Sequence, residues 1–99
     1  MRSPGEGTGG PLRLGVAICA LDEEEALGRL LPRLVGQGPD RADVVVVADG
    51  GSVDRTRDVV RSAGAQLLEG ARGRGPQLVA AANRLLEEGA GVLLFLHAD

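Results

Sequence analysis

Hydrophobic and polar positions follow two alternating rhythms along this chain. Leu14 to Ala20 is a short apolar run, and Asp43 is followed by four valines and Ala48. Ala65 to Leu68 is a third brief run, and Val92 to Leu96 a fourth. Short apolar runs bounded by turn residues read as strands buried on both faces. Between them apolar residues recur at helical spacing. Ala26, Leu27, Leu30, Leu31, Leu34 and Val35 form the first stripe, Val59, Val60 and Ala63 the second, and Leu78, Val79, Ala82, Leu85 and Leu86 the third. The order β-α-β-α-β-α-β predicts an α/β fold: a Rossmann-like parallel sheet of four strands with flanking helices, joined by right-handed crossovers.

Boundary residues refine this. Asp22 is expected to N-cap the first helix, with Glu23, Glu24 and Glu25 in its first turn, where acids suit the helix dipole. Pro32 inside the first stripe predicts a kink or an early end. Ser52 or Asp54 is expected to cap the second helix, and Gly64 to end it. Residues 69–75 read as a loop carrying Arg72 and Arg74, with Pro76 at the first helical position of the third helix. In a parallel sheet the strand ends Asp22/Glu23, Asp49, Glu69/Arg72 and His97/Asp99 all fall on one edge. Open α/β sheets bind ligands at that carboxyl edge.

Composition narrows the function. At 99 residues the chain is one domain or part of one. Its single cysteine, Cys19, permits no internal disulfide and points to a reducing compartment. One Cys and one His are too few for a structural zinc site. The net charge of −3 argues against nucleic acid as a partner. Every basic residue is arginine, so the lysine of a phosphate-binding P-loop is missing. A receiver-like signalling domain would likewise want a lysine beside its acids. No apolar run approaches the length of a membrane span, about 20 residues, and residues 1–10 have no apolar core for a signal peptide. Residues 1–11 read as a disordered lead-in. Gly5 to Gly10 fits G-x-G-x-x-G, but the strand follows the glycines instead of preceding them, which argues against a dinucleotide loop.

The candidate chemistry lies at the strand tips. Asp49 opens Asp-Gly-Gly-Ser, an ordinary way to leave a strand and equally a carboxylate placed for a ligand, with glycines that let the backbone approach it. Arg72 and Arg74 on a glycine-rich loop suit a diphosphate, with Gln77 beside them. His97 and Asp99, two apart on one strand, point to the same side. With substrate phosphates they could complete an Mg²⁺ or Mn²⁺ site. Cys19 reads as a small buried hydrophobe.

Together these segments resemble the family 2 glycosyltransferases of the GT-A fold, in particular their bacterial glycosyltransferase-like branch. The resemblance rests on four segments in order: Cys19 to Glu24, Asp49 to Thr56, Ala71 to Val79, and Leu96 to Asp99. It spans residues 12–99. It implies transfer of a sugar from a nucleotide-diphosphate donor, UDP- or GDP-linked, with Mg²⁺ or Mn²⁺. It also implies that Leu21, Asp22 and Glu23 line the nucleotide pocket, with Gly51 and Gln77 nearby. Asp49 would hold the base, Arg72 and Arg74 would lie near the diphosphate, and Asp99 with His97 would bind the metal. Asp22 stands where the family has Asn, and Val79 where it has a polar Asn. No residue can be assigned as the general base that such a transfer needs. The expectation is therefore the donor-binding half of a transferase, truncated after the metal motif, cytoplasmic and inactive alone. A non-catalytic nucleotide-binding or interaction module is the alternative. Because the family's sheet continues past its fourth strand, residues 92–96 are expected at an exposed edge that self-associates.

Overall fold

The computed structural model describes residues 12–98. The expected lead-in, its glycine pattern and the Asp99 metal ligand lie outside the described residues. The elements are β1 (Leu14–Ala20), α1 (Glu24–Leu34), β2 (Val44–Asp49), α2 (Thr56–Ala63), β3 (Gln66–Glu69), α3 (Arg74–Glu87) and β4 (Val92–His97). The four strands form one parallel sheet in the order β3-β2-β1-β4. The α/β class and the parallel sheet are as the sequence predicts.

The chain leaves β1 toward β2 and β3, then crosses back to place β4 on the other side of β1. This reversal puts helices on both faces. Val16, Ile18, Val45 and Val47 meet Leu27, Leu31 and Leu34 of α1 and Val60 of α2. Ala17, Val44, Val46 and Ala48 meet Ala81 and Leu85 of α3 on the other face. All six residues of β2 are buried, as its unbroken apolar run requires. Each fully buried Leu or Ile contributes about 1.5–3 kcal/mol relative to an exposed one. Gly15 is small for a packing reason: a Cβ there would lie 2.8 Å from Leu85 Cδ2 and 2.9 Å from Ala90 Cβ.

Several local expectations change. Asp22 does not cap α1. Its φ of 53° puts it in the left-handed region, and the helix begins at Glu24. Pro32 sits inside α1, which ends two residues later at Leu34, so the early end is what occurs. α3 begins at Arg74 instead of Pro76. Pro76 is still harmless, because first-turn N–H groups have no intrahelical partner. The buried face of α3 is Gln77, Ala81 and Leu85, while Val79 and Leu86 are exposed. β4 is not buried on both faces: Val92, Leu94 and Phe95 are each more than two-fifths exposed. Among the described residues only β1 flanks it, which leaves it at the sheet edge expected above.

Candidate functional site

The carboxyl ends of β1, β2 and β4 and the start of α3 enclose a cleft of about 290 Å³. It opens where the strand order reverses, the position at which open α/β sheets bind ligands. Leu21 and Glu23 follow β1, Gly50 follows β2, and His97 ends β4; Arg74 and Gln77 come from α3. These bring together five of the residues that the sequence singled out: Leu21, Glu23, Arg74, Gln77 and His97.

The other candidates lie beside this cleft. Asp49, Gly51 and Arg72 line a smaller hollow of about 130 Å³ with Arg57 and Glu69. Asp22 faces an acidic hollow with Glu24, Glu25 and Asp54. Gly50 borders both the central cleft and the Asp49 hollow, so the two adjoin. Arg72 lines the hollow and Arg74 the cleft. Arg72 Nη2 lies 3.5 Å from where a Gly51 Cβ would be, whereas Arg74 borders the central cleft.

Asp49 is buried, only 1% exposed. Its Oδ2 accepts from the N–H groups of Gly51 (3.1 Å) and Ser52 (3.0 Å), and its Oδ1 from the Ser52 hydroxyl. The carboxylate thus holds its own turn, one of the two roles the sequence allowed, while Asp49 also lines the hollow with Arg72. Ser52 Oγ in turn accepts from the Asp22 N–H at 2.9 Å. Asp22 Oδ1 accepts from the N–H groups of Val53 (2.8 Å) and Asp54 (3.3 Å). Thr56 Oγ1 accepts from Glu23 N–H at 2.8 Å, and Asp54 Oδ2 from Glu24 N–H at 3.3 Å. The first N–H groups of α1 are therefore capped by the loop after β2. Neither Ser52 nor Asp54 stands at the N-cap of α2, which is Arg55, although Asp54 Oδ1 accepts from Thr56 N–H at 2.9 Å. That bond and the one from the Thr56 hydroxyl hold the Asp54 carboxyl below its ordinary value.

Cys19, read as a buried hydrophobe, borders the cleft half-buried. Its thiol donates to the Arg74 carbonyl at 3.8 Å. Burial raises its pKa, with nearby Arg74 pulling the other way, so the thiol stays protonated at neutral pH. Gly73 was also missed. Its φ of 87° starts α3 and lets the chain turn into the cleft. No group of three His, Cys, Asp or Glu side chains among the described residues could hold a metal. His97 is the one such side chain on β4, so the described residues do not form a metal site by themselves.

A family model described as glycosyl transferase family 2 matches residues 15–99. The chain belongs to that family. No curated protein matches it closely enough to count as a relative. Among solved structures it is similar to glucosyl-3-phosphoglycerate synthase from Mycobacterium tuberculosis in complex with Mn²⁺, UDP and phosphoglyceric acid. The identity is 22% and the TM-score 0.70, covering 89% of this chain and 33% of that one. A complex of the same synthase with Mn²⁺, UDP-glucose and phosphoglyceric acid gives 20% and 0.71, covering 100% and 38%. A further mycobacterial protein gives 24% and 0.70, covering 89% and 31%. The chain thus spans about a third of the length of these structures, and at these identities the likeness shows the GT-A fold. No helix among the described residues is long and apolar enough to cross a membrane.

Proposed function

We propose that residues 12–99 form the nucleotide-sugar-binding half of a glycosyltransferase. The observation that carries this reading is the cleft at the strand-order reversal, bordered by the start of α3. The first turn of α3 holds Arg74 and no acid. Its free N–H groups and dipole favour a diphosphate, and the Arg74 guanidinium adds a fork for phosphate oxygens. Leu21, more than half exposed at the cleft mouth, offers an apolar surface for a base, and Glu23 and Gln77 offer polar contacts. Asp49 serves by holding the turn that sets Gly50 and Gly51, and Arg72 serves the neighbouring hollow.

In such a transfer the acceptor oxygen attacks the anomeric carbon and the sugar–phosphate bond breaks. The leaving diphosphate takes the electron pair while the acceptor loses its proton. Arg74 and the α3 terminus would offset the charge gathering on the diphosphate. His97, with Asp99 and ligand oxygens, would hold Mg²⁺ or Mn²⁺, which supplies further charge offset when bound. No described residue is assigned to take the acceptor's proton. We place the reaction in the cytoplasm, where nucleotide sugars are made.

Calorimetry with UDP and with GDP, each with and without Mn²⁺, tests the reading on wild type and Arg74→Ala. Saturable, Mn²⁺-strengthened binding that weakens about tenfold in the variant is expected, since a charged hydrogen bond is worth about 1.5–3 kcal/mol. A folded sample that binds neither at millimolar concentration refutes it. Nucleotide binding without transfer is the second reading, favoured by the unassigned base.

A further inference from the structure

Gln77 is the one uncharged amide in the cleft wall, and its orientation is fixed. It is 6% exposed. Its Nε2 lies 3.1 Å from the Ala48 carbonyl oxygen and 3.4 Å from the Ala20 carbonyl oxygen. Both partners can only accept, so the nitrogen, with its two hydrogens, must face them. The side chain therefore latches the Ala20 carbonyl at the end of β1 to the Ala48 carbonyl one residue before the end of β2, and both donors are used. Gly50 leaves it room: a Cβ there would stand 2.7 Å from Nε2.

The amide oxygen is then turned away from the sheet. It accepts no hydrogen bond from a described residue, and Gln77 lines the central cleft. Arg74, which lines the same cleft, is a pure donor.

We infer that Gln77 is a specificity-determining residue that presents a fixed hydrogen-bond acceptor to a hydroxyl or N–H of the bound nucleotide sugar. This deepens the nucleotide-sugar reading above and rests on it. The inference divides the cleft by polarity. Phosphate oxygens, which only accept, belong on the Arg74 side, and a donor group of the ribose, base or sugar belongs against Gln77. The latch cannot swivel to reverse this, because turning the amide would set its oxygen against two carbonyl oxygens.

The test is calorimetry of UDP, UDP-glucose and inorganic pyrophosphate, with Mn²⁺, on wild type, Gln77→Met and Gly50→Ala. Methionine keeps the volume and removes both donor and acceptor. Alanine at 50 crowds the latch while leaving Gln77 in place. Circular dichroism and thermal melts establish that each variant is folded. Both variants are expected to weaken nucleotide binding about tenfold, the scale of one lost hydrogen bond, with pyrophosphate within about twofold of wild type. A loss with UDP assigns the donor group to the nucleoside, and a loss confined to UDP-glucose assigns it to the sugar. Wild-type nucleotide affinity in folded Gln77→Met overturns the inference alone. So does an equal loss of all three ligands, which marks a purely structural latch. Failure of wild type to bind either nucleotide overturns the nucleotide-sugar reading and this inference with it.

Discussion

Ser52→Ala is the sharpest perturbation that the site offers. The serine is buried, 3% exposed. Its hydroxyl donates to Asp49 Oδ1 while accepting the Asp22 N–H. Removing one oxygen leaves a carboxylate that is only 1% exposed short of a donor. It also leaves the Asp22 N–H without its partner. A buried polar group left unsatisfied costs about 1–3 kcal/mol, more when it is charged. The lost carboxylate donor and the lost amide acceptor together predict a destabilisation of about 3 kcal/mol. A domain of this size is stable by only about 5–15 kcal/mol, so the change is large. At about 4–8 °C per kcal/mol the melting temperature should fall by more than 10 °C. Urea unfolding followed by circular dichroism measures it, with Ser62→Ala on the exposed face of α2 as the control, expected within about 0.5 kcal/mol of wild type. A double-mutant cycle with Asp49→Asn should return a coupling of about 1–2 kcal/mol, because the two groups share one hydrogen bond. A Ser52→Ala protein within about 0.5 kcal/mol of wild type would refute the claim that this hydroxyl holds the turn.

Other outcomes follow from the same coordinates. Asp22→Asn should be nearly neutral, since Asn tolerates the left-handed region and keeps an accepting oxygen. Asp22→Ala should cost about 1–3 kcal/mol by chemical denaturation, from backbone strain and the two hydrogen bonds lost with its one accepting oxygen. Gly15→Ala should destabilise by about 1–3 kcal/mol through overpacking against Leu85 and Ala90, and wild-type stability there would contradict the close approach of α3. The depressed Asp54 carboxyl implies a stabilising contribution that is complete above the ordinary carboxylate range and lost as pH falls through its lowered value. An acid titration of stability should therefore change less below pH 4 for Asp54→Asn than for wild type. Leu94→Lys on the exposed β4 edge should leave stability within about 0.5 kcal/mol but shift the mass seen by light scattering toward the monomer. An unchanged mass would count against self-association through that strand.

The elements and the sheet direction were legible because each depends on a local rhythm. Four valines before Asp49 dictate a central strand, and the stripe from Leu27 to Leu34 dictates an amphipathic helix. The strand order added what rhythm cannot carry. The apolar run of residues 92–96 reads by itself as buried, and only the resemblance to a longer sheet placed it at the exposed edge where it is found. The third stripe misplaced the buried face of α3 for a related reason. Gln77 is polar, so periodicity passed over it, yet its amide is the group that the two central strands need at their ends.

The same logic explains which site residues sequence reasoning brought together correctly. Leu21, Glu23, Arg74, Gln77 and His97 each sit within a few residues of the carboxyl end of a strand or the start of α3, and parallel topology alone delivers them to one cleft. Asp22, Ser52 and Asp54 carry the usual letters of helix caps, but Asp22 and Ser52 take partners in the neighbouring loop, and Asp54 serves its own helix and α1 together. Their hydrogen bonds run across about 30 residues of sequence, from one loop to the next. Two adjacent parallel strands with level ends bring these loops side by side: Ala20 pairs with Asp49 in register. Each loop can then satisfy the other's free N–H groups, and neither could do so alone. This exchange fixes the floor of the cleft without using the groups that line it. Arg74 and the Gln77 amide take no part in the bonds that tie Asp49, Ser52 and Asp22 to one another and to their loops.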